Sequence, residues 1–379
     1  MYFKRTIQNQ IEKALSRRKV VILYGARQVG KTTLVKKIVE DRTGKSLFLN
    51  CDEPDIRELL THKTSTELKR LLGEHRFVVI DEAQRVLNIG LTLKLLIDNF
   101  PEVQVLATGS SSFELSNHVK EPLTGRKIEF QLFPLSIAEL SQDHSDMETG
   151  RLLENILRYG LYPEVVTSPI TEAAQIINEI AESYLYRDVL EYQTLKKPEL
   201  LEKLLKALAL QVGHEVSYTE LSGLLGVDKI TVEKYVNLLE KAFIIFPLKP
   251  FSKNLRKEIG KKRKIYFFDP GIRNSIIRNF NPLNLRNDVG CLWENFLLAE
   301  RIKSNIAGQR AVNQFFWRTY DKKEIDLIEE SSDKIAGYEF KWGKGKFKPH
   351  QDFLDAYPGS RIHLVNKENF LDFVNKPGL

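Results

Sequence analysis

The stretch KVVILYGARQVGKTTLVKK, which begins at Lys19, limits what this chain can fold into more than any other. A β-branched apolar run bounded by glycine predicts a buried parallel strand, and the periodicity beyond it predicts a helix. Between them, Gly25-Ala26-Arg27-Gln28-Val29-Gly30-Lys31-Thr32 fits G-x-x-x-x-G-K-[ST] at every defined position, in the strand-turn-helix context the motif requires. Glycine lets the backbone turn tightly so that its N–H groups point at phosphate oxygens, and the helix N-terminus adds positive potential. Lys31 is expected to bridge the β- and γ-phosphates and Thr32 to ligate Mg²⁺. Thr33 completes the expected phosphate-binding run.

Length then sets the scale of what surrounds this loop. At 379 residues the chain exceeds one compact core and is expected to divide into domains. Hydrophobic residues at 42% and charged residues at 28% are those of a globular protein, without low-complexity tracts. A net charge of +7 permits a polyanionic partner without demanding one. Cys51 and Cys291, the two cysteines, exclude a disulfide framework and a cysteine-based zinc site, which suggests a reducing compartment. The start, MYFKRTIQNQIEKAL, is charged and amphipathic, and no window is long and apolar enough for a membrane span, so a cytoplasmic protein without a membrane partner is expected.

A phosphate cradle needs a carboxylate on a neighbouring strand. FVVIDEAQ, from Phe77, supplies four apolar residues and then Asp81 and Glu82. At a strand's carboxyl end Asp81 can hold magnesium, and Glu82 can polarise the water that attacks a γ-phosphate. VQVLATGSSSFEL predicts another strand, whose polar end offers Thr108 or Ser110 as a hydroxyl that senses the γ-phosphate or orients that water. LTGRKIEFQLFPLS predicts a fifth strand with Arg126 just before it, and arginine suits charge stabilisation on a transferring phosphoryl group.

The phosphate loop, VVIDEAQ, the TGSS strand end and LTGRKIEFQLFPLSIAEL together resemble the prokaryotic AAA-type, archaeal ATPase-like P-loop ATPases that carry a C-terminal domain of unknown function with a nuclease-like core. The resemblance covers nearly the whole chain. It implies that Lys31, Thr32, Asp81 and Glu82 bind and hydrolyse ATP with Mg²⁺, and that Arg126 matches the arginine of the family's GR pair. YLYRDVLE resembles a recurring family segment, making Arg187 a second candidate nucleotide contact or a member of a helical ion-pair network with Asp188 or Glu191. Family members commonly form rings with an arginine donated in trans, so a homo-oligomer is a candidate state.

Beyond the first domain the periodicity becomes helical, from residue 151 to 210, with breaks at YGLYP and TSPI. EVSYTELSGLLGVDKITVEKYVNLLEKAFII then predicts two helices joined through Gly226, a helix-turn-helix, with the second from about Asp228 to Lys241. PLKPFSKNLRKEIGKKRKIYFFDPG predicts a winged extension with a basic tip. Lys249, Lys253, Arg256, Lys257, Lys261, Lys262, Arg263 and Lys264 crowd there around one acid, Glu258, as expected of phosphate contacts to DNA. Lys261, Lys262, Arg263 and Lys264 are the candidate DNA-binding set, with Lys229 or Thr231 as candidate base readers.

The last part carries a second acidic pattern. LWENFLLAERI predicts a helix presenting Glu294, with Glu300 as a substitute; FFWRTYDKKEIDLIEE predicts a hairpin bearing Asp326; in GYEFKWGKGK, Glu339 and Lys341 share one strand face. Carboxylates held close on neighbouring strands can bind Mg²⁺ or Mn²⁺, and Lys341 can position a nucleophilic water. The pattern Glu294, Asp326, Glu339-x-Lys341 is similar to the PD-(D/E)XK nuclease fold, which implies a second metal site and phosphodiester cleavage. His350 and His363 are scattered and read as structural or exposed.

The expected architecture is α/β throughout: a P-loop NTPase parallel sheet over residues 1–140, a helical lid or connector over 141–198, a winged helix over 199–280 and a nuclease-like α/β domain over 281–379. The expected activity is Mg²⁺-dependent ATP hydrolysis coupled to DNA binding and candidate DNA cleavage. The alternative is a nucleotide-dependent switch whose C-terminal modules are inert and bind partners.

Overall fold

A computed structural model of the chain describes residues 2–109, 122–187, 198–251, 263–319, 321–332, 334–343 and 347–375. Ser110, Asp188, Glu191, Lys253, Arg256, Lys257, Glu258, Lys261 and Lys262 lie outside the described residues. Two compact units result. One comprises Met1–Pro134 with Lys241–Phe243, the other Leu135–Glu240 with Ile244–Leu379.

The first unit is built on five parallel strands, β1 (Val20–Gly25), β2 (Ser46–Asn50), β3 (Phe77–Asp81), β4 (Gln104–Gly109) and β5 (Lys127–Leu132), in the order β2-β3-β4-β1-β5. Every residue of β1 and β3 is buried. That is why both read as unbroken apolar runs: a parallel strand covered on two faces has no wet side on which to alternate polar residues. Because β4 separates β1 from β3, the loops leaving β1 and β3 flank the carboxyl end of β4. Ligands of open α/β sheets collect at that edge.

The second unit holds a seven-stranded mixed sheet. Its strands are β6 (Glu215–Val216), β7 (Ile245–Pro250), β8 (Arg263–Phe267), β9 (Asn313–Arg318), β10 (Glu324–Ser331), β11 (Lys334–Phe340) and β12 (Arg361–Val365), in the order β12-β11-β10-β9-β7-β8-β6. Lys249 and Pro250 on β7 pair in parallel with Phe315 and Phe316 on β9. Residues 199–280 and 281–379 therefore share one sheet. Helices Asp146–Tyr159, Pro163–Thr167 and Ala173–Arg187 occupy the segment read as helical. Helices Tyr218–Leu225 and Lys229–Lys241 meet through Gly226, whose φ of +66° lies in the left-handed region that glycine adopts without cost. Asp228 starts the second helix by accepting a 2.8 Å hydrogen bond from the Thr231 N–H.

The helix Val289–Ala307 buries Trp293, Phe296 and Leu297 completely, and its Arg301 forms a buried two-pronged pair with Glu329 on β10, Nε and Nη2 lying 2.9 and 2.7 Å from the two carboxylate oxygens. Among the described residues, no helix is long and apolar enough to cross a membrane.

Candidate functional site

Gly25 ends β1 opposite Leu132 of β5, and a Cβ there would sit 2.3 Å from the Leu132 carbonyl oxygen. The strand can close this near to its neighbour only with glycine. The loop then turns through Gln28 at φ 59° and Gly30 at φ 94°, and the helix Lys31–Glu40 begins. Ala26 and Val29 are buried beneath the loop, Arg27 is half-buried, and Gln28 and Thr33 are exposed. Lys31 is itself buried, its ammonium donating to the Gly25 and Ala26 carbonyls at 3.0 and 2.8 Å.

The carboxylates meet this loop across β4. Thr32 Oγ1 donates to Asp81 Oδ2 at 2.8 Å, joining the phosphate loop to the end of β3. Asp81's other oxygen accepts a short hydrogen bond from the Thr108 hydroxyl, and that same hydroxyl accepts from the Glu82 N–H at 3.1 Å. Glu82 adopts a left-handed conformation, φ 53° and ψ 43°, which turns its side chain away from the alternation of β3. Thr108, one of the two hydroxyls expected to sense the γ-phosphate or orient the water, is fully buried and bound to both acidic positions. The thiol of Cys51, pushed up to about 12 by burial and by Asp81 and Asp52, is no nucleophile at neutral pH.

Two contributors were not read from the sequence. Gln84 donates to Glu82 Oε2 at 2.6 Å, a link whose signal was the spacing of two residues within DEAQ. Arg5, buried, donates to the loop carbonyl of Val29 at 2.7 Å and to the Phe133 carbonyl at 2.6 Å. Nothing local announces that role, since Arg5 is 24 and 128 residues from its partners.

Arg126 stands elsewhere than the sequence predicts. Val20 of β1 lies opposite Lys127 of β5, so Arg126 stands at the amino edge of the sheet, whereas the phosphate loop leaves its carboxyl edge. The strand between spans roughly 17 Å at about 3.3 Å per residue. Arg126 is half-exposed and its Nε pairs with Asp98 at 2.7 Å, so it does not reach the loop of its own unit. Arg187 is the last residue of the helix Ala173–Arg187.

In the second unit, Glu294, Glu324 and Asp326 present carboxylate oxygens that all lie within 4.8 Å of one another. Glu324 was missed, though the two-residue step to Asp326 on β10 marks a shared face. Asp326 accepts from the Phe340 N–H at 2.7 Å, and Glu339 pairs with Lys341 at 2.9 Å. Burial pushes the Asp326 carboxyl well up, and Glu294 adds to the shift. Glu300 does not substitute for Glu294: it caps the helix Ile137–Leu140 through the Ile137 N–H at 2.7 Å and pairs with Lys303 at 2.8 Å. His363 stacks on Tyr338, and His350 lies beside Trp317.

Lys264 is a second correction. It is 1% exposed, and its ammonium lies 2.8 Å from Glu294 and in direct ion-pair contact with Glu324. A side chain so enclosed makes no phosphate contact to DNA. Of the remaining basic residues there, Lys249 is exposed and Arg263 lies over the Tyr218 ring at 4.8 Å.

Comparison with known proteins bears on the two units differently. Residues 17–141 match a family model described as an AAA domain, while 150–283 and 289–373 match two domains of unknown function, DUF8612 and DUF4143. An uncharacterized protein of Mycobacterium tuberculosis is 28% identical over 342 residues, covering 89% of this chain and 74% of that protein. One of Haemophilus influenzae is 24% identical over 340 residues, covering 83% and 80%. Among solved structures, a Walker-type ATPase of Pyrococcus abyssi aligns with a TM-score of 0.50 at 16% identity, covering 73% of this chain and 96% of that one. The first unit thus has the fold of P-loop ATPases, a parallel sheet carrying the glycine-rich loop, and a further α/β region follows it in the chain. The matches over the second unit carry no activity with them, and the nuclease resemblance gains no support from them.

Proposed function

We propose that this chain is a Mg²⁺-dependent ATPase with its nucleotide site at the carboxyl edge of β1, β4 and β3. The observation that carries the proposal is the hydrogen-bonded chain from Thr32 through Asp81 to Thr108 and the Glu82 N–H. Thr32 and Asp81 offer converging oxygen donors of the hard kind that Mg²⁺ takes, so the residues fit the ion. Mg²⁺ held there supplies positive charge at the phosphate oxygens. Lys31, resting on the Gly25 and Ala26 carbonyls, is placed to transfer its ammonium to the β- and γ-phosphates. Residues 25–33 present loop and helix N–H groups to the phosphate chain. Glu82, steadied by Gln84, takes the proton of the attacking water. Lys31→Ala is expected to abolish tight nucleotide binding and Glu82→Gln to bind ATP without turning it over. A fluorescent nucleotide titration paired with phosphate release tests both, and normal hydrolysis by either variant refutes the assignment.

We also propose that nucleotide state is coupled to DNA binding by the second unit. The order helix Pro198–Leu210, β6, helices Tyr218–Leu225 and Lys229–Lys241, then the β7–β8 hairpin supports reading that segment as a winged helix. Exposed Lys229, read from the sequence as a candidate base reader, is taken here as a phosphate contact of that module, beside the basic residues of the candidate DNA-binding set other than Lys264. Duplex affinity should fall steeply with salt, and Lys229→Ala should shallow that slope by about one. Affinity indifferent to salt refutes the phosphate contacts, and equal affinity with ATP and with ADP refutes the coupling; either leaves the partner-binding switch. Cleavage forms no part of this proposal, because of where Lys264 lies.

A further inference from the structure

A divalent ion at the acidic cluster of the second unit would need oxygen lone pairs that are open. Glu294 Oε1 accepts from Lys264 Nζ at 2.8 Å and also from the Tyr266 hydroxyl, which sits two residues along β8 on the same face. Glu324 is in contact with the same ammonium through one oxygen, and Arg318 Nε approaches the other at 3.6 Å. Asp326 Oδ2 is held by the Phe340 N–H, and Glu339 Oε1 by Lys341. Glu339 Oε2 is buried without a hydrogen-bond partner. Mg²⁺ binds through one or two carboxylates and fills the rest of its shell with water, so an ion here would have to displace the Lys264 ammonium from Glu294 and Glu324.

The charges are paired as well, though the acids outnumber the bases. Four carboxylates, Glu294, Glu324, Asp326 and Glu339, face Lys264, Lys341 and an Arg318 shared with Glu215. Burial alone would lower the Lys264 ammonium, but Glu294, Glu324 and Asp326 outweigh it and hold the side chain firmly charged. Lys264 is also tethered: its strand position pairs with Leu248 on one side and Glu215 on the other, and its ammonium lies 5.6 Å from the Phe316 ring centre. Unlike a metal, this cation cannot exchange with solvent.

We infer that Lys264 is the resident cation of the cluster, standing where a nuclease of this pattern would hold its metal. The intact chain accordingly binds no divalent ion at Glu294, Glu324 and Asp326, and performs no metal-dependent phosphodiester cleavage there. The cluster is a latent metal site. With the ammonium removed, three half-buried carboxylates whose oxygens lie within 4.8 Å of one another lose the cation that Glu294 and Glu324 contact, which favours uptake of another.

Mn²⁺ titration of the full chain, following the free-ion signal by electron paramagnetic resonance, tests this without reference to catalysis. Wild type and Asp326→Asn should bind equal numbers of Mn²⁺, since any ion at Asp81 and Thr32 contributes to both. Lys264→Met should bind one more ion per chain, and Lys264→Met/Asp326→Asn should lose it again. Lys264→Arg should gain none. A wild type that binds one ion more than Asp326→Asn overturns the inference, as does a folded Lys264→Met that gains none. Should Lys264→Met fail to fold, the comparison of wild type with Asp326→Asn still decides. That variant keeps an acceptor for the Phe340 N–H.

Discussion

Thr108→Val separates a positioning hydroxyl from a phosphate sensor. Thr108 is fully buried, donates to Asp81 and accepts from the Glu82 N–H at 3.1 Å. Valine preserves the shape and removes the oxygen, so the carboxylate loses a hydrogen bond worth about 1.5–3 kcal/mol and the amide becomes an orphaned buried donor costing about 1–3 kcal/mol. The two terms share one hydroxyl and are not additive, giving an expected loss of about 3 kcal/mol in folding stability. Glu82 stands in a left-handed conformation that this bond helps to hold. A carboxylate misplaced by about 1 Å costs about 100-fold in turnover. ATP affinity should hold, because Lys31 and the loop carbonyls beneath it are untouched. Urea denaturation, phosphate release and nucleotide titration measure the three quantities. A direct sensor would give another pattern: an unchanged urea midpoint with a selective loss of ATP affinity relative to ADP. That result, or wild-type values throughout, refutes the reasoning.

Arg5→Ala should weaken ATP binding by about tenfold, since it removes the guanidinium that ties the Val29 carbonyl to the Phe133 carbonyl; Arg5→Lys should recover part of it, and equal affinity in all three proteins by calorimetry would dismiss the role. Arg126→Ala is expected to keep wild-type turnover at low protein concentration, where a partner's site cannot be engaged; a large loss there would show that the amino edge of β5 does reach the phosphates. In the second unit, burial acts to raise the Asp288 carboxyl, but Arg286 and Arg273 prevail and hold it down to about 2. An acid depressed in the folded state contributes stability above its ordinary value of 3.8, lost as pH falls toward 2. Asp288→Asn should therefore lower the urea midpoint clearly at about pH 5 and much less at about pH 3; equal deficits at both values would refute the pairing.

The two helices joined at Gly226 and the glycine-rich turn after β1 were legible because each is local: a turn, a cap and a period lie within about 20 residues, where propensity and spacing act directly. Gly226, Asp228 and the apolar runs of β1 and β3 all stand where the sequence predicts. Arg126 and Lys264 were misread for the same reason in reverse. A lysine among lysines looks solvated until a tertiary fold sets it 30 residues away against Glu294, and an arginine before a strand has no edge until the strand has neighbours.

What the sequence by itself determined is the loop's form, G-x-x-x-x-G-K-T between a buried strand and a helix, the pattern of a phosphate cradle. It also determined which carboxylates exist at the strand ends. Which of them remain open was decided by the tertiary structure alone. Strand order set Thr108 between Asp81 and Glu82, and the pairing of β8 carried Lys264 into the acidic cluster. The physical reason is that a buried carboxylate must find a partner, and which cation or hydroxyl reaches it first is a matter of packing, not of neighbours in the chain.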